Sequence, residues 1–149
     1  MLIEFLISKT DGRCLYYLSE EYHHDPQLIS GYLASLIMFM KSHQRNVPKS
    51  IIFEKGQWIF EYDPAEVFFI AASIEVNNVL DEKLVRNTLN EILTAVIIIT
   101  GNNNIPLESD HESIQKILDD TIKMKLLSIL TKQNALKFQP GILRSYIVY

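Results

Sequence analysis

The run Val67-Phe68-Phe69-Ile70-Ala71-Ala72 is the longest unbroken apolar stretch of the chain, and it does not alternate. A strand with one face in water reads apolar-polar-apolar, so a strand apolar at every position is covered on both faces. A sheet built around such a strand needs helices on both sides, which selects a three-layer arrangement. The same run is far too short for a bilayer span, which takes ~20 apolar residues.

The rest of the chain supplies the other layers. Leu2 to Ser8 and Cys14 to Ser19 are short apolar runs joined through Asp11-Gly12, a hairpin signal that makes them antiparallel neighbours. Asp25-Pro26 offers an N-cap and an N1 proline, and the helix that follows places Leu28, Ile29, Tyr32, Leu33, Leu36, Ile37 and Met40 on what reads as its core face. Lys41, His43 and Arg45 crowd its last turn, and Asn46 and Pro48 close it. Ser50 to Glu54, Gln57 to Tyr62 and Glu66 to Val76 read as a meander punctuated by Lys55-Gly56 and Asp63-Pro64. The last of these should be central, with Leu2 to Ser8 as its neighbour. Asp81 to Thr100 then forms a helix through Leu84, Val85, Leu89, Ile92, Leu93, Val96 and Ile99. Ser109-Asp110-His111-Glu112 is a capping box opening another through Ile114, Ile117, Leu118, Ile122 and Leu126. The expected fold is α+β: an α/β/α sandwich on a five-stranded antiparallel sheet, in the order β-β-α-β-β-β-α-α. Residues 1–133 make the domain, and residues 134–149 an apolar, basic C-terminal extension whose Ile142, Leu143, Tyr146, Ile147 and Val148 should cover apolar surface or join a sheet edge.

Size and charge narrow the function. At 149 residues the chain suits a single domain and can bury roughly 68–70% of its unfolded surface without a disulfide or structural metal. The lone Cys14 and the absence of a basic region before an apolar start fit a cytoplasmic protein. A net charge of −4 argues against broad nucleic-acid binding. The average hides an asymmetry: beyond Asp120 there are five cations and no carboxylate side chain. Such an end either complements the acidic body of its own fold or meets an acidic partner or an anionic membrane surface.

These elements resemble a longin domain, the small fold of vesicle-trafficking SNAREs, small clathrin-adaptor subunits and regulators of small GTPases. The likeness lies in the element order and in Leu2 to Lys41, where the hairpin sequence Leu-Ile-Ser-Lys-Thr-Asp-Gly-Arg precedes a helix resembling the first helix of archaeal longin and roadblock-like proteins at Leu28 to Leu33. It covers roughly residues 1–130. A roadblock domain would begin with a helix, and this chain begins with a strand. Neither a SNARE heptad region nor a membrane anchor is expected after the third helix. The resemblance implies a non-enzymatic interaction module that pairs with itself or another longin or roadblock chain and engages a small Ras-like GTPase or a trafficking complex, with no cofactor.

Catalytic and metal readings find less support. His23-His24-Asp25 is the one cluster resembling a metal site, but adjacent histidines diverge and Asp25 is better used as a cap. Cys14 reads as a packed thiol, and Glu20-Glu21 and Asp119-Asp120 as solvated carboxylates. The five glycines are scattered, so no phosphate loop exists. Nothing distinguishes an arginine finger among Arg13, Arg45, Arg86 and Arg144. Phe53, Trp58, Phe60, Phe68 and Phe69 read as core. A ligand-sensing α/β/α domain with a pocket between sheet and helix is the alternative reading.

A partner surface is expected on the first helix. Gly31, Ala34, Ser35, Met38 and Ser42 fall opposite its expected core face, and Gly31, Ser35, Met38 and Ser42 make a small, uncharged stripe around one adaptable methionine, where a solvated face would carry Lys and Glu. The fallback is the edge of the second strand around Tyr16.

Overall fold

Gly12 turns the first hairpin with φ at +98°, a left-handed value that glycine adopts without strain. The Asp11 carboxylate accepts the Arg13 N–H at 3.0 Å, as an Asp at such a turn commonly does. The hairpin joins β1 (Leu2–Lys9) to β2 (Cys14–Ser19). The computed structural model describes residues 2–19, 25–54, 56–75, 82–101, 112–132 and 144–147. The remaining elements are α1 (Pro26–Gln44), β3 (Ser50–Ile52), β4 (Gly56–Tyr62), β5 (Phe68–Glu75), α2 (Glu82–Gly101), α3 (Glu112–Lys132) and β6 (Arg144–Ile147).

The strands β1 to β5 make a five-stranded antiparallel sheet in the order β3-β4-β5-β1-β2, and β6 adds a sixth strand on the outer edge of β2. The β5 strand lies between β4 and β1, pairing Phe5 with Ala72 and Ile7 with Ile70. Its two faces serve two cores. Phe69 shares one with Leu6, Tyr17, Phe60 and the α1 residues Leu33, Ala34 and Ile37. Ile70 shares the other with Phe5, Ile7 and Ile59, with Val85, Leu89 and Ile92 of α2, and with Leu118, Ile122 and Leu126 of α3. The sheet is thus covered by α1 on one side and by α2 and α3 on the other, as the unalternating run requires.

One irregularity redirects β2. Ile7 pairs with Tyr16 and Ser8 with Cys14, which leaves Leu15 as the extra residue of a β-bulge. Leu15 and Tyr16 therefore both pack on the α2–α3 side, while Cys14 and Tyr17 face α1. Tyr16 is buried, its hydroxyl donates to Asp119 Oδ1 of α3 at 2.7 Å, and its backbone lies opposite Ile147 of β6. The expectation of an open partner edge at Tyr16 is corrected: β6 covers that edge, and the side chain belongs to the core. Phe53, Val67 and Ile117, read as core from the sequence, are exposed. The capping-box residues Ser109 to His111, the pair His23-His24 and the pair Glu20-Glu21 lie outside the described residues.

Candidate functional site

The α1 helix starts as its sequence predicts, with the Asp25 carboxylate accepting the Gln27 N–H at 2.9 Å and Pro26 in the first turn. The Gln27 side chain then fastens the helix to the hairpin: its Nε2 donates to Gly12 O at 2.8 Å, and its Oε1 accepts the Cys14 N–H at 3.1 Å. At the other end Arg45 closes the helix in a left-handed conformation, φ 59°.

These attachments set the rotation of α1, and it differs from the expected one. The buried residues are Ser30, Leu33, Ala34 and Ile37. Ser30 is accommodated because its hydroxyl donates to that of Ser8 at 2.5 Å. Ala34 belongs to the inner face, which removes it from the expected partner surface, because the hairpin turn closes on the helix there. Leu28 and Tyr32 move the other way and are 73% and 55% exposed, beside Met38 at 61% and Phe39 at 59%. Ser35 and Ser42 are exposed as expected, and Gly31 is half-buried.

The outer face of α1 is consequently large, apolar and uncharged. Lys41 is the only Lys, Arg, Asp or Glu in Pro26–Gln44. The two serines on this face bond their own helix, Ser35 donating to Gly31 O at 2.8 Å and Ser42 to Met38 O at 3.0 Å. Hydroxyls satisfied in this way lower the cost of removing the face from water. Phe39 stacks on His43 with ring centroids 4.2 Å apart.

A groove of about 570 Å³ adjoins this face at Met38. Ala34, Ile37, Val47 and Phe69 give it an apolar lining, and Asp11, Lys41, Asp63 and Glu66 add charge. Lys41 Nζ and Glu66 Oε2 pair at 2.8 Å, and Asp11 lies 3.9 Å from the Arg13 guanidinium. Asp63 is 8% exposed, and its Oδ2 accepts the Val67 N–H at 3.2 Å. Sequence reasoning missed Asp63, since Asp63-Pro64 reads only as a turn.

The other candidate residues are absorbed by the fold. Cys14 is fully buried, and desolvation pushes its thiol up from 9.0 to about 11. Arg86 donates toward Glu61, Glu82 and the carbonyls of Lys49 and Phe60. Asp119, read as a solvated carboxylate, is held between the Tyr16 hydroxyl and Lys123, the latter at 3.0 Å. Lys125 pairs with Glu91 at 3.2 Å, so part of the basic end serves its own acidic body. Glu4 is buried and accepts the Tyr17 hydroxyl at 2.5 Å, a pair the hydropathy pattern does not mark. Among the described residues no three His, Cys, Asp or Glu side chains form a group that could hold a metal ion, and no helix is long and apolar enough to cross a membrane.

No family model matches the chain, and no curated protein matches it either.

Proposed function

We propose that the protein is a non-enzymatic interaction module of longin type, which pairs through the outer face of α1 with itself or another longin or roadblock chain and engages a small Ras-like GTPase or a trafficking complex in the cytoplasm. The observation that carries the pairing is the exposure of Leu28, Tyr32, Met38 and Phe39 on a helix with a single formal charge. Contiguous exposed apolar surface of this kind marks interaction sites. A second copy of the chain is the partner that the face itself favours, since an uncharged surface meets its own image across a two-fold axis without like-charge repulsion. The GTPase part rests on the longin resemblance, an analogy at the level of fold. It is tested by pull-down against GDP- and GTP-loaded small GTPases from the same cell, with binding expected and its absence removing that part.

The groove beside Met38 favours a second reading, a ligand-sensing domain, because its volume falls in the ~300–1,000 Å³ range of small-molecule sites.

A further inference from the structure

We propose that the groove between α1, the β1–β2 turn and the β4–β5 turn binds an organic cation with an apolar body, whose ammonium or guanidinium group pairs with Asp63. The proposal rests on the ligand-sensing reading and names the ligand class. Three carboxylates line the groove, and two have cations of their own: Glu66 holds Lys41, and Asp11 has Arg13 nearby. Asp63 has none among the described residues. Among those residues its carboxylate accepts one bond, from the Val67 N–H to Oδ2, yet Asp63 is more than nine-tenths buried. A buried carboxylate gains most from a cation that brings its own donors, because the alternative is an incompletely paired charge away from water. The apolar lining from Ile37, Val47 and Phe69 suits the body of such a ligand, and excludes a small hydrated ion as its best occupant.

The probes are 4-phenylbutylammonium and 4-phenylbutyrate, similar in shape and opposite in charge, titrated into the 15N-labelled full chain and followed by amide shifts. Saturable shifts at Thr10, Asp11, Glu66 and Val67 with the cation, and at least tenfold weaker binding of the anion, are expected. Asp63→Asn keeps an oxygen for the Val67 N–H and should weaken the cation at least tenfold with an unchanged spectrum elsewhere. Equal affinity for the two ions overturns the cation assignment while leaving a ligand pocket; no saturable binding of either overturns both. Asp63→Asn binding the cation as tightly as the native chain also overturns the assignment. Should that variant fail to fold, the ratio of the two ions on the native chain still decides.

Discussion

Gly12 and Gly31 meet where the hairpin turn abuts α1: a Cβ built on Gly12 would lie 3.2 Å from the Gly31 Cα. The two glycines are nevertheless unequal. Gly12 also holds φ at +98°, whereas a Cβ on Gly31 meets nothing within 4 Å. Gly12→Ala should therefore destabilise the fold by about 1–3 kcal/mol. Gly31→Ala should stabilise it by up to about 1 kcal/mol through helix propensity. Urea denaturation of both variants checks the contrast, and equal effects would contradict the placement of the turn against the helix.

Phe69 and Ile70 occupy opposite faces of β5, each essentially inaccessible to water. An aspartate at either position buries a charge without a partner, so Phe69→Asp and Ile70→Asp should each cost more than about 3 kcal/mol and abolish soluble expression. A stable, folded variant would contradict the sheet order.

The C-terminal strand offers a separate test. Because β6 pairs with β2, deleting residues 139–149 should lower the thermal midpoint and leave the β2 edge open to other strands. An unchanged midpoint and an unchanged mass by light scattering would make β6 dispensable.

Titration gives a prediction with a definite sign. Burial favours the protonated Cys14 thiol in the native state, with a folded value of about 11 against 9.0. Above pH 9 the unfolded chain releases this proton first, so the contribution is fully present below pH 9 and is lost as pH rises toward 11. The phenols of Tyr16, Tyr17 and Tyr62, all pushed up by burial, extend the loss to higher pH. Denaturation midpoints should fall between pH 9 and 11, and Cys14→Ser should flatten the first part of that fall.

Much of the fold was legible in the sequence because it rests on local chemistry. Asp11-Gly12, Asp25-Pro26 and the unalternating strand each have one good structural solution. The rotation of α1 was not legible. Its apolar residues surround most of the helix, and the inner face includes the small residues Ser30 and Ala34, so hydrophobic periodicity alone selected Leu28 and Tyr32 for the core. Ser30 is inside because Ser8 is within hydrogen-bonding distance, a contact between residues far apart in sequence. The bulge at Leu15 likewise depends on pairing with β1, and it hid the burial of Tyr16.

The most direct test of pairing through α1 is the solution mass of the native chain and of a Leu28→Glu/Phe39→Glu variant, measured by light scattering across a concentration series with circular dichroism as the folding control. Both side chains are exposed, so the variant should keep its fold. The account predicts a concentration-dependent dimer for the native chain and a folded monomer for the variant. A native chain that stays monomeric, or a variant that associates as the native chain does, would contradict self-pairing through α1.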